Sequence, residues 1–341
     1  MVDDSLTGSL RPADEMARLL GGFRVTQLLF TAAALGVADA LARGPKDVEA
    51  LAREVGAHPG ALHRMLRALA SHGVFLETSP GWFASTPLAD VLRDDVPGSL
   101  RPMALSYGQP WWWDSFGRLL DAVRTGEAAF DRLHGEPFFA FLERRPDAAA
   151  VFDANMAAMT EGEAEAIVAA YPFGQVDAVT DVGGGGGALV GALLARWPHL
   201  RVSLLDRAAA LEGARARGLT APRCVLVEGD FTRFVPPGAD VYLLKDVLHD
   251  WNDEQAVAIL RRCRTAMTGA ARLLVVERLM PTGNAPAAVT HVDITMLVLT
   301  GGRERTLEEY ASLLEQADLD LLRAIDTRAD QSILEARISA T

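Results

Sequence analysis

The chain has 341 residues, half of them hydrophobic, and a formal net charge of −12. That length is long for one domain and comfortable for two, each with its own core. The acidic balance disfavours nucleic-acid and anionic-membrane partners, and two cysteines, Cys224 and Cys263, are too few for a disulfide framework and wrongly spaced for a metal site.

The N-terminus lacks the basic-then-apolar start of a signal peptide. Its most apolar run, Leu28 to Leu41, is interrupted by Thr31, Gly36 and Asp39. It falls short of the roughly 20 apolar residues that cross a bilayer, so a cytoplasmic protein is expected. Residues 1–100 read as a helical, winged-helix-like dimerisation domain. Leu20 to Leu41 is apolar on more than one helical face. Such a helix needs burial on several sides, and a homodimer would supply it. Val48, Leu51, Ala52 and Val55 form one helical face; beyond Gly56 and Pro59, Leu62, Met65, Leu66 and Leu69 form another. Two short apolar runs then flank the turn-forming Ser79-Pro80-Gly81. Helix, turn, helix and hairpin outline a winged helix. Such a module can bind DNA, but no dense basic cluster accompanies His63, Arg64, Arg67 and His72.

Residues 101–341 read as one catalytic domain. Its first part, 101–172, is helical and rich in aromatics: Trp111, Trp112, Trp113, Phe116, Phe130, Phe138, Phe139, Phe141 and Phe152. Most belong in a core, and some suit the wall of a cavity for a flat ligand. From 173 onward the texture changes. Strand-like runs at Ala178–Thr180, Arg201–Leu205, Cys224–Val227, Val241–Leu244 and Arg272–Val276 alternate with helical stretches. That alternation predicts a doubly wound, mostly parallel α/β sheet of the Rossmann-like kind.

Ligands of such sheets bind at the carboxyl ends of the strands. Here the five ends carry Asp181 with the run Gly183 to Gly187; Asp206; Glu228, Gly229, Asp230 and Phe231; Lys245, Asp246 and His249; and Glu277. Gly183, Gly185 and Ala188 also fit a dinucleotide fingerprint, and Asp206 lies near the ribose-binding distance, so a nicotinamide enzyme is a rival. Three details favour S-adenosylmethionine (SAM). Asp181 before the glycines would repel a pyrophosphate but suits an ammonium or sulfonium. Asp230 and Phe231 offer a carboxylate and a ring face to an adenine. The loop also lies mid-chain, behind a large helical region.

Residues 178–310 resemble the catalytic domain of the plant-type O-methyltransferase family, which includes caffeic acid O-methyltransferases and bacterial natural-product enzymes. The matching stretches are Thr180 to Gly185, Leu205-Asp206, Glu228 to Phe231, Leu248 to Glu254, and Gly301 to Thr306. Ala33 to Leu41 resembles the family's dimerisation domain. The resemblance implies a homodimeric, metal-independent enzyme that methylates a hydroxyl of an aromatic small molecule. It places Gly183, Asp206, Asp230, Phe231 and Lys245 on the cofactor. It makes His249 the general base, with Glu277 and Glu304 as flanking acids. Asn155, Met156, Met159 and Asp293 would border the substrate, beside Trp251. A histidine can take a phenol's proton as the oxygen attacks, and a carboxylate can fix its tautomer.

Each assignment has a bland rival. Glu277 can cap a turn. Glu304, between Arg303 and Arg305, can sit in a solvated salt-bridged loop. Lys245 can pack as an aliphatic stem with a solvated head. Two functional rivals also remain: a relative that uses SAM for hydroxylation or decarboxylation-linked chemistry, and a non-enzymatic winged-helix regulator.

Overall fold

The chain divides after Pro110 into two units in the computed structural model, which describes residues 11–283 and 287–340. In the first unit, strands β1 (Lys46–Asp47), β2 (Phe75–Ser79) and β3 (Trp82–Ser85) form a sheet in the order β1-β3-β2. Gly81, with φ of 78°, closes the β2–β3 turn. The helices Val48–Val55 and Pro59–Ala70 precede this hairpin and bury Leu51, Ala52, Leu62, Leu66 and Leu69 with Phe75 and Phe83. The expected winged-helix outline is thus present. Of its basic residues, His63 lies 3.3 Å from Glu77. The apolar run before it is two helices, Gly22–Ala34 and Val37–Leu41, broken where Gly36 takes φ of 65°. No helix among the described residues is long and apolar enough to cross a membrane.

The second unit is built on seven strands: β4 (Ala178–Val182), β5 (Arg201–Asp206), β6 (Cys224–Glu228), β7 (Val241–Lys245), β8 (Arg272–Arg278), β9 (Leu319–Asp326) and β10 (Gln331–Ile338). Their order is β6-β5-β4-β7-β8-β10-β9. The first five are parallel, as the sequence predicts, while β10 runs antiparallel to both β8 and β9. This antiparallel edge was not expected.

Burial on both faces explains the apolar central strands. Along β7, Tyr242 and Leu244 point to one face, where Leu260, Cys263 and Leu313 pack. Val241 and Leu243 point to the other, where Ile167, Leu189 and Leu193 pack. The chain winds outward from β4 to β6, then returns to place β7 on the other side of β4. That reversal opens a crevice at the carboxyl ends of β4 and β7.

Candidate active site

The glycine loop leaves β4 at this crevice. Gly183, Gly185 and Gly187 take φ of 74°, 57° and 73°, a region that only glycine enters freely. A Cβ on Gly184 would lie 2.2 Å from Oδ2 of Asp181, so the loop lies directly over that carboxylate. Asp181 is 1% exposed, and neither carboxylate oxygen has a hydrogen-bond partner. Burial, then nearby Asp206, push its pKa up to about 7 against the pull of Lys245. A buried carboxylate without donors is costly unless it is neutral or meets a cation.

The next strand ends complete one side of the crevice. Asp206 accepts the Gly185 N–H at 2.8 Å and the Arg207 N–H at 2.7 Å, so it ties the end of β5 to the loop. Gly229 donates its N–H to the Asp206 carbonyl. Phe231 faces the loop, since a Cβ on Gly183 would come within 3.3 Å of its ring. Its ring also stands edge-on to Trp251 at 6.2 Å. Asp230 is exposed, and its Oδ1 accepts from the Thr232 N–H and hydroxyl. Half of its carboxylate therefore holds its own turn.

Lys245 does not have a solvated head. Its ammonium is buried beside Glu163 at 2.9 Å and Asp246, and it donates to the Thr160 hydroxyl. Arg278 closes the ring of charges with Glu163 at 2.6 Å and Asp246 at 3.1 Å. Among non-glycine residues, aspartate tolerates the left-handed region well, and Asp246 takes φ of 50°. The backbone turns sharply there. The N–H groups of Val247, Leu248 and His249 then converge on one oxygen of Glu277, at 3.1, 2.8 and 3.4 Å.

So Glu277 does cap a turn, and the turn is the one that carries His249. Its other oxygen lies 3.6 Å from Nδ1 of that histidine. Glu304 reaches Nδ1 more closely, at 2.8 Å, and is 3% exposed. The solvated-loop reading is therefore wrong for Glu304. Of its neighbours, Arg303 turns outward to Glu309 and Arg305 is fully buried. Asp293 accepts the Glu304 N–H at 2.8 Å, so it supports the loop that presents the acid.

Burial works against a charged imidazole, yet Glu277, the hydrogen bond to Glu304 and Asp250 together raise the His249 pKa well above its ordinary value. The proton on Nδ1 is fixed by Glu304, which leaves Nε2 to exchange protons. Asp250 lies 4.0 Å from Nε2. Asp246, His249 and Glu277 are close enough to offer three metal ligands. Of their donor atoms, Asp246 already meets two cations, Nδ1 meets Glu304 and one Glu277 oxygen meets three N–H groups, while the other Glu277 oxygen has no hydrogen-bond partner.

The helix Pro146–Ala170 brings the remaining expected residues. Asn155 is 1% exposed, and both ends of its amide lack partners. Met156 and Met159 are half-buried on the same helix. Trp251 stacks on Phe139, with ring centroids 6.4 Å apart. Trp111, Phe130, Phe138 and Phe141 pack against one another as core. Sequence reasoning missed Glu163 and Arg278, and it gave no role to Asp246 after β7 or to Arg305 within the Gly301 to Thr306 stretch.

The O-methyltransferase domain matches residues 116–319, and the O-methyltransferase dimerisation domain matches residues 17–95. Phenazine O-methyltransferase PhzM of Lysobacter antibioticus is 39% identical over 340 residues, 99% of each chain. The crystal structure of the O-methyltransferase NcsB1 from neocarzinostatin biosynthesis, in complex with SAM and 2-hydroxy-5-methyl naphthoic acid, superposes with a TM-score of 0.80. It is 34% identical, covering 92% of this chain and 96% of that one. Aclacinomycin 10-hydroxylase RdmB of Streptomyces purpurascens is 37% identical over 325 residues, 92% of this chain and 87% of that protein. The chain belongs to the O-methyltransferase family, with both its dimerisation and its catalytic domain.

Proposed function

We propose that this protein transfers a methyl group from SAM to a hydroxyl of an aromatic small molecule of the secondary-metabolite kind, with His249 as general base. The observation that carries this reading is the 2.8 Å hydrogen bond from Nδ1 to Glu304, which leaves Nε2 as the proton acceptor. The residues present fit SAM. Asp181 is a buried carboxylate without donors, under a glycine loop that side chains would block. Asp206 and Gly229 would hold the ribose end, and Asp230 and Phe231 the adenine, while Lys245 would serve the amino-acid end.

SAM supplies a methyl group already activated by its sulfonium, so the protein's task is orientation and proton removal. Nε2 takes the acceptor's proton as the oxygen attacks, and Glu304 and Glu277 stabilise the imidazolium that results. A phenol of pKa about 10 is a poor donor to an ordinary histidine of about 6.5. Raising the imidazole pKa narrows that gap. The unpartnered amide of Asn155, with Met156, Met159, Trp251 and Asp293, would border the acceptor. The dimerisation-domain match supports a homodimer, as do Met16, Leu19, Leu20 and Phe23, each more than half exposed.

The test is transfer of labelled methyl from SAM across a panel of phenols, with His249→Ala beside wild type. Equal activity in the variant would remove His249 from the mechanism, and no SAM binding by calorimetry would remove the whole reading. A second reading, hydroxylation, is favoured by the likeness to RdmB. Product mass separates the two, because one adds CH2 and the other adds oxygen.

A further inference from the structure

We propose that Arg305 is a positioning residue that sets the His249 imidazole for proton transfer. This inference rests on reading His249 as the base.

Arg305 is fully buried, which is rare for arginine without dedicated partners. Its guanidinium donates to the Leu248 carbonyl at 2.9 Å and the Trp251 carbonyl at 2.7 Å. Those two carbonyls lie on either side of His249 in the chain. The carbonyl of His249 itself accepts the Arg303 N–H at 2.8 Å. One short segment thus grips the catalytic turn at three backbone oxygens while Glu304, from the same segment, holds Nδ1. Asp253 anchors the guanidinium at 2.9 Å. The Arg305 carbonyl accepts the Met280 N–H at 2.9 Å, just beyond the strand that carries Glu277.

A planar fork of five donors can hold two carbonyls and a carboxylate at once; an ammonium on a flexible stem holds fewer, with looser direction. Arg305 touches no reacting atom. Its effect passes through the orientation of the ring and the length of the Nδ1 hydrogen bond. Shifts of about 1 Å in such a group can cost about a hundredfold in rate.

The test compares Arg305→Lys and Arg305→Met with wild type and His249→Ala in the full-length protein. Three quantities are read: kcat, S-adenosylhomocysteine affinity by calorimetry, and the His249 titration by NMR of 13C-labelled histidine. Arg305→Met should lose at least about thirtyfold in kcat with product affinity kept within about twofold. Arg305→Lys should recover part of the rate. In both, the His249 titration should move to lower pH as the Glu304 bond loosens. If the methionine variant fails to fold, the lysine variant decides alone. A folded variant with kcat within twofold of wild type, or one whose product affinity falls in step with kcat, overturns the proposal. Full activity in His249→Ala would instead overturn the assignment of the base.

Discussion

The two ends of the crevice are built in opposite ways. At the glycine loop, backbone is laid bare and a buried carboxylate is left without donors. At His249, the backbone is gripped from outside: three N–H groups by Glu277 and three carbonyls by Arg303 and Arg305, with Nδ1 held by Glu304; one oxygen each of Glu277 and Glu304 is left without a donor. The first end is the one that we propose receives SAM. The second is arranged to hold a side chain still. Binding can tolerate some adjustment on arrival, whereas proton transfer needs its geometry beforehand.

The largest expected effect breaks the second end alone. His249→Ala should lower kcat by about 10²–10⁴-fold, the usual worth of a general base, with SAM affinity unchanged by calorimetry. Two glycine substitutions then separate the ends. A Cβ on Gly184 would lie 2.2 Å from Asp181 and 2.4 Å from Leu204, so Gly184→Ala should weaken S-adenosylhomocysteine binding. A Cβ on Gly302 would lie 2.0 Å from the His249 carbonyl, so Gly302→Ala should lower kcat and leave that affinity in place. Overpacking of this kind costs about 1–3 kcal/mol. If both variants lose cofactor affinity equally, the two ends are not independent.

How much of this was legible in sequence follows the same division. The glycine loop, Asp206 and Asp230 stand beside strand ends in short contiguous stretches, so the alternating pattern alone locates them. The apparatus around His249 comes from scattered segments, Glu277 lying 28 residues on and Glu304 55. Arg305 reads as one charge in an Arg-Glu-Arg run, and nothing local says that one arginine turns outward and the other is buried. The antiparallel edge escaped for a related reason. β9 is half solvated and carries Asp320, Arg323 and Asp326, so it lacks the apolar run of a central strand.

A third prediction concerns charge. Because the His249 pKa is raised, the neutral imidazole forms only at pH above its ordinary value of about 6.5. The acid limb of the kcat/KM profile should therefore lie above that pH. Replacing Glu304 by Gln removes the carboxylate that holds Nδ1, so the limb should move to lower pH. Stability has a matching sign. His249 binds its proton more tightly when folded, because Glu277 and Glu304 face it. Its contribution to stability is fully present below about 6.5 and should be lost as pH rises through the raised value. A limb that stays in place in Glu304→Gln would mean that Glu304 does not set the histidine's charge.

A fourth prediction tests the unpartnered amide. Asn155→Leu removes a buried group whose missing hydrogen bonds cost about 1–3 kcal/mol, so the melting temperature should rise. If the amide meets the acceptor, KM for that acceptor should rise as well. A higher melting temperature with unchanged KM would place the residue outside the substrate site.

The smallest effect separates stability from geometry. Thr306 directly follows Arg305 and caps the helix Leu307–Gln316, sharing a reciprocal capping box with Glu309. Thr306→Ala should cost about 1 kcal/mol, the usual worth of such a cap, measured by denaturant unfolding. Yet the Arg305 guanidinium is held by Asp253 and the carbonyls of Leu248, Trp251 and Arg303, none of which belongs to the cap. kcat should therefore stay within about twofold of wild type, on the same reasoning that makes misplacement of catalytic groups the costly event. A loss of rate as large as that of Arg305→Lys would mean that the segment's overall stability, and not the arginine's grip on the turn, keeps His249 in place.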